Sequence, residues 1–219
     1  MVELAIPARI DNHIVEEVPA SVVKGTNTFR NSAGCRAWGG YDAGMSPDLT
    51  AAELKSLLKL EPHPREGGWF VQTWRAEESI PHTDLPARYT GPRAAGTAIY
   101  YLLEPETFSE MHRLQSDEVF HFYLGDPVEM LQLWPDGSGR RVALGPDLQA
   151  GMAVQTVVPK GVWQGSRLVP GGKLALLGCT VSPGFDYADY ESGARDELAR
   201  RWPEWQAMIE HLTRMPAPG

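Results

Sequence analysis

The stretch TAIYYLLEPETFSEMHRLQSDEVFHFYLGDPVEMLQLWPDGSGRRVALG, residues 97–145, settles the architecture. Within it, TAIYYLL, EVFHFYL and VEMLQLW are short runs rich in β-branched and aromatic side chains, which fit a pleated, half-buried surface. Turn material separates the runs, and WPDGSGRRV reads as a hairpin with Asp-Gly in its turn. The same texture continues outward. WFVQTWRA (69–76) precedes the stretch, and AVQTVVP (153–159) and KLALLGCTV (173–181) follow RVALG (141–145). Between them lie GPRAAG, GPDLQAG, PKG and VPGG. Many short strands at near-regular spacing, with no helix between them, indicate a sandwich or closed barrel rather than βαβ units.

Helical patterns flank this region. Ser46-Pro47 reads as an N-cap followed by proline in the first turn. Leu54, Leu57 and Leu58 then form an apolar face, and the helix stops before Pro62. Near the other end, 194–201 and 204–212 are short amphipathic helices divided by Pro203, with Trp202, Trp205 and Ile209 directed at the β-rich core. Residues 1–44 are rich in Gly, Asn, Ser and Thr, lack any period and read as a poorly ordered extension.

Composition bounds the function. Hydrophobic residues are 42% and charged residues 22%, ordinary for a globular chain. The net charge of −8 comes with no Lys/Arg cluster, so nucleic acid is not an expected partner. No apolar run reaches the length of a membrane span, and the N-terminus lacks the charge pattern of a secretory signal. Cys35 and Cys179 show no paired spacing, so both read as free thiols in a cytoplasmic protein.

Two segments carry candidate chemistry. In the first, His112, Glu118 and Gly125 follow H-x5-E-x6-G; the second runs from Gly151 to Val158-Pro159-Lys160-Gly161-Val162-Trp163-Gln164. Together they resemble the two motifs of the cupin superfamily, H-x-H…E…G and G…P-x-G-x-x-H. A finer resemblance, to the DUF985 (cupin_5) subfamily, rests on HPREGGWFVQTWR (63–75), GTAIYYLL (96–103), MHRLQSDEVFHFYLGDP (111–127) and VPKGVWQGS (158–166), in the family's order. The resemblance implies an all-β double-stranded β-helix, a cupin jelly-roll barrel over about 61–183 within a domain of 45–219, with flanking helices. It also implies a homodimer and a small-molecule ligand in the barrel mouth.

Two departures stand out. Glu110 occupies the place of the first motif histidine and Gln164 that of the last. A divalent metal ion, if bound, would have Glu110, His112, Glu118 and Gln164 as ligands, an oxygen-rich and imidazole-poor set. Without a metal, His112 is the candidate base and Glu118 its orienting carboxylate. Alternation puts Phe120 and Phe122 on the Glu118 face and His121 on the other unless a bulge intervenes. His121 therefore stands as either a second pocket base or an interface residue. One of Tyr100 and Tyr101 lines the interior, and Tyr101 is the candidate acid. Arg75 is a candidate anion clamp, with Glu66 before it, and Trp163 a candidate pocket wall beside Gln164. His63, His82 and His211 belong to no such constellation and read as surface or capping residues.

By analogy with sugar-nucleotide epimerase cupins, the leading expectation is acid–base epimerisation or isomerisation of a sugar or nucleotide-sugar. A metal-dependent oxygenase or lyase and a non-catalytic ligand-binding module are the alternatives, since one jelly roll hosts many functions.

Overall fold

A computed structural model describes residues 49–214. The expected extension, Cys35 and the Ser46-Pro47 cap lie outside the described residues. The first helix, α1 (Ala51–Leu58), is capped by Thr50, whose hydroxyl accepts from the Glu53 N–H while the Glu53 carboxylate takes the Thr50 N–H, a reciprocal capping box. Its buried face is Leu54, with Leu58 partly covered; Leu57, expected on that face, is 67% exposed.

Among the described residues thirteen strands follow in chain order: β1 (Glu61–Pro62), β2 (Trp69–Arg75), β3 (Ser79–Ile80), β4 (Arg93–Ala94), β5 (Thr97–Leu103), β6 (Phe108–Arg113), β7 (Asp117–Gly125), β8 (Val128–Leu133), β9 (Gly139–Leu144), β10 (Gln155–Val158), β11 (Trp163–Leu168), β12 (Ala175–Ser182) and β13 (Glu191–Ser192). Helices α2 (Arg195–Arg201) and α3 (Gln206–His211) close the described chain. A six-stranded sheet runs β1-β2-β5-β12-β7-β10, and a five-stranded sheet runs β13-β6-β11-β8-β9. Their paired strands are antiparallel. A two-stranded β3-β4 ribbon stands apart. The hairpin expected at WPDGSG joins β8 to β9, with Leu133 opposite Gly139 and Gly137 at φ 93°.

The two large sheets enclose the main core. Tyr101, Leu103, Phe120, Leu177 and Cys179 come from one sheet, and Val128, Met130, Leu144 and Leu168 from the other. This is the jelly-roll barrel. Both outer faces are also partly covered, which is why β8 is buried along its whole length and β5 reads as a continuous apolar run. Leu198, Trp202, Ile209 and Leu212 cover Met111, Leu131, Leu133 and Trp163 on the five-stranded sheet. Leu54 and Leu60 pack with Leu102, Leu174 and Leu176 outside the six-stranded sheet.

Strands β6 and β11 did not stand out in the sequence. FSEMHR and WQGSRL alternate too weakly in hydropathy because their inward residues are polar. They carry Glu110, His112 and Gln164.

Candidate functional site

The inward side chains change character along the barrel. At one end they are Leu103, Phe122, Val128 and Leu168. At the other, pairing aligns Thr97, Val181 and Glu118 across β5, β12 and β7, and His112, Gln164 and Gln132 across β6, β11 and β8. Antiparallel register thus gathers polar groups that are far apart in the chain into two facing rows.

His112, Gln164 and Glu118 form a hydrogen-bonded string. The His112 Nδ1 lies 2.7 Å from the Glu110 carbonyl oxygen, so Nδ1 carries the proton and donates. Gln164 Nε2 lies 3.3 Å from His112 Nε2 and donates to it. The same amide nitrogen donates to Glu118 Oε2 at 2.5 Å. His112 Nε2 and Glu118 Oε2 are 4.0 Å apart. Tyr190, delivered by the pairing of β13 with β6, stacks on the imidazole at 4.9 Å. Burial and the nearby Glu66 charge push the Glu118 carboxyl up to about 7, against relief from His112 and Gln164.

The loop between β1 and β2 brings the second pair. His63 Nδ1 accepts the Glu66 N–H at 2.8 Å and the Arg65 N–H at 3.4 Å. Its proton therefore sits on Nε2, 3.8 Å from Glu66 Oε2. Burial holds the His63 pKa below the usual imidazole value, with Glu66 opposing. Glu66 Oε1 accepts from Ser109 Oγ at 2.5 Å. Gly67 and Gly68, both at positive φ, let this loop lie against the barrel: a Cβ on Gly67 would run into the Phe108 carbonyl oxygen. The Tyr101 hydroxyl then donates to the Gly67 carbonyl at 2.7 Å and pins the loop.

These groups line one cavity of about 140 Å³. His63, Glu66, His112, Glu118 and Cys179 give it a polar side; Phe70, Ile99, Leu114, Val181 and Phe185 an apolar one; Tyr187 lines it too and is 39% exposed.

Comparison with known proteins agrees with the barrel. A family model described as Cupin superfamily (DUF985), Cupin_5, matches residues 52–193. The chain belongs to the Cupin_5 family.

Relatives of this cupin span kingdoms. It is 29% identical over 153 residues to the uncharacterized protein YML079W of Saccharomyces cerevisiae, covering 66% of this chain and 75% of that one. A hypothetical protein from Leishmania major is 31% identical, with a TM-score of 0.68, covering 76% of this chain and 100% of that one. Protein SO0799 from Shewanella oneidensis is 32% identical, again with a TM-score of 0.68, covering 77% and 99%.

Several sequence expectations change in this cupin. His121 lies on the face of β7 opposite Glu118: its Nε2 is 3.2 Å from Thr180 Oγ1, its Nδ1 3.1 Å from Gln155 Nε2, and Tyr123 stacks on it. Regular alternation holds at that point, so His121 is no pocket base. Tyr101 is inward but fully buried, and its proton is engaged by Gly67; Tyr187 is the tyrosine that lines the cavity. Arg75 is exposed at the end of β2, outside the cavity lining. Trp163 faces the C-terminal helices, with the Arg113 guanidinium 4.5 Å from its ring centroid. Phe120 and Phe122 share the Glu118 face as expected, yet they pack in the apolar core rather than the cavity. Glu118 does not orient His112 through Nδ1; the Glu110 backbone carbonyl does. His63, read as a surface or capping residue, is a cavity residue. Its Pro-Arg-Glu-Gly-Gly sequel was the one available signal, a turn needing φ > 0 beside a carboxylate.

The expected metal ligand set does not come together. A bulge in β6, with Ser109 and His112 opposite Ser166 and Gln164, turns Glu110 aside. Glu110 Oε1 accepts from Tyr190 and Ser192, and Arg214 lies 3.4 Å from Oε2. Gln164 presents its NH₂, a donor, to Glu118. Only His112 Nε2 and Glu118 remain of the four, which does not fit a divalent-metal cage. Among the described residues no group of three or more His, Cys, Asp or Glu side chains is arranged to hold a metal ion. Among them, too, no helix is long and apolar enough to cross a membrane.

Proposed function

We propose that this cupin is an acid–base isomerase or epimerase acting on a small polar metabolite of the sugar or nucleotide-sugar class. One observation carries the reading. Two imidazoles in complementary tautomers share a single cavity with a carboxyl that titrates near neutrality. Such a set can take a proton from carbon and give one back without a cofactor.

In this reading His112 Nε2 gives up its long 3.3 Å bond from Gln164 and removes the proton next to a substrate carbonyl. His63 Nε2–H hydrogen-bonds the enolate oxygen as charge develops there. The protonated Glu118 carboxyl returns a proton to carbon. The proton held on His112 then crosses the 4.0 Å gap to Glu118, and both groups regain their starting states. Gln164, bonded to both, holds them at that separation. The raised pKa supports this role, because a carboxyl near 7 is populated in both forms at neutral pH.

The test is incorporation of solvent deuterium into candidate ketoses, aldoses and nucleotide-sugars, followed by NMR. His112→Asn should slow exchange by about 10²–10⁴-fold, the usual contribution of a positioned base. Exchange at the native rate in His112→Asn would sink the assignment. Tight binding of a sugar with no exchange at any carbon would make the protein a binding module instead.

A further inference from the structure

The cavity's charge specifies more than its proton chemistry. Among the described residues lining it, none is lysine or arginine. Two carboxyl groups, Glu66 and Glu118, face the space, and both side chains are nearly buried. The histidines offset them only in part: burial holds the His63 pKa below the usual imidazole value, and burial and Glu66 outweigh the relief His112 gives Glu118. Arg214, the cation near the loop, lies against Glu110 and outside the lining. The Glu66 charge is felt throughout. After burial, it is the next cause that raises the pKa of Glu118, Tyr101, Tyr187 and Tyr190.

Acceptors also outnumber donors. Glu66 Oε2 and Glu118 take O–H or N–H partners, while His63 Nε2–H is the donor counterpart. The opposite wall of Phe70, Ile99, Leu114, Val181 and Phe185 wants C–H surface. A volume of about 140 Å³ matches a six-membered ring, since a cavity of ~150 Å³ admits benzene.

We infer that Glu66 is a specificity determinant: it restricts the cavity to an uncharged, hydroxyl-bearing ring of pyranose size and keeps carboxylate and phosphate groups out. This rests on the cavity being the ligand site, and it deepens the proposal above. Glu66, anchored by the Ser109 hydroxyl at 2.5 Å, takes ligand hydroxyls through Oε2. An anion placed in the same space meets the Glu66 carboxylate at close range. Any anionic part of a larger ligand stays outside, where the exposed Arg65 sits 5.1 Å from the centroid of the Tyr187 ring.

The test compares matched neutral hexoses and uronates, glucose with glucuronate and galactose with galacturonate, by calorimetry and thermal shift on the full chain. At least one neutral hexose should bind at least about tenfold more tightly than its uronate. Glu66→Gln keeps the size and the Ser109 acceptor, and should shrink that ratio toward one. Arg65→Ala is measured in parallel. A uronate that binds the native chain but is lost in Arg65→Ala has its carboxylate held outside, as inferred. Equal or tighter uronate binding that survives Arg65→Ala overturns the inference, as does failure of every pair to bind. The outcome is independent of the deuterium test: selective binding without exchange would leave this inference standing and the isomerase reading fallen.

Discussion

Gln164 stands at the last position of the P-x-G-x-x-H pattern, and its amide makes a bridge there. One hydrogen faces the His112 lone pair and the other the Glu118 carboxylate. That bridge lowers the cost of charge on Glu118, yet burial and Glu66 outweigh it, and the carboxyl rises from 4.5 to about 7. The consequence for stability has a definite sign. Between those values the folded chain keeps a proton that the unfolded chain has released, so stability is fully present below about 4.5 and declines as pH rises through about 7. Glu118→Gln removes the titration. Relative to native, it should gain up to about 3 kcal/mol between about pH 4.5 and 8, at 1.36 kcal/mol per pKa unit. Urea denaturation at several pH values measures it. A difference that does not change with pH would place the energetics elsewhere.

At the scale of elements, the β1–β2 loop and β6 build the site. Gly67 and Gly68 supply positive φ, Tyr101 pins the carbonyl between them, and His63 and Glu66 arrive as a unit held by backbone N–H groups. Gly67→Ala has nowhere to put its methyl, because the Phe108 carbonyl occupies that position. We expect it to cost about 1–3 kcal/mol in backbone strain and to displace His63 and Glu66 together. Ligand binding should weaken while the far-UV circular dichroism of the barrel persists. Native affinity in Gly67→Ala would mean the loop does not position the pair. The β6 bulge works in the opposite direction, removing Glu110 from the cavity and giving it to Tyr190, Ser192 and Arg214.

For the whole molecule, the cavity depends on a segment that returns after the barrel is complete. Residues 183–192 place Phe185 and Tyr187 at the cavity and Tyr190 on His112. A buried ion pair holds this segment: Arg93 donates to both Asp189 oxygens, at 2.7 and 2.6 Å, and also to the Gly91 and Pro92 carbonyls. Removing one partner strands a buried charge. Arg93→Met should therefore cost about 3–5 kcal/mol, whereas adding Asp189→Leu should restore most of it. Thermal unfolding of the single and double variants checks this. A double variant no more stable than Arg93→Met would show that the pair matters for more than charge balance.

The sequence by itself determined the all-β class, seven strands of the barrel wall, its hairpin, its flanking helices and the inward set Glu118, Phe120 and Phe122. These follow from periodicity and turn chemistry, which act between near neighbours in the chain. It also supplied His112, Glu118 and Gln164, through motif spacing. Only the tertiary structure decided what those residues meet. Strands β6 and β11 were hidden because polar inward residues erase the alternation that marks a strand. Their register, and the bulge that expels Glu110, arise from pairing with β8, β11 and β13. His63 and Glu66 join His112 because a glycine loop crosses from outside the barrel; Arg75 leaves because it stands exposed at the end of β2, and Trp163 because its strand face is turned to the C-terminal helices. Hydrophobic and turn patterns are local, whereas a binding cavity is made by contacts between segments distant in sequence. That difference separates what could be read from the chain alone from what needed the fold.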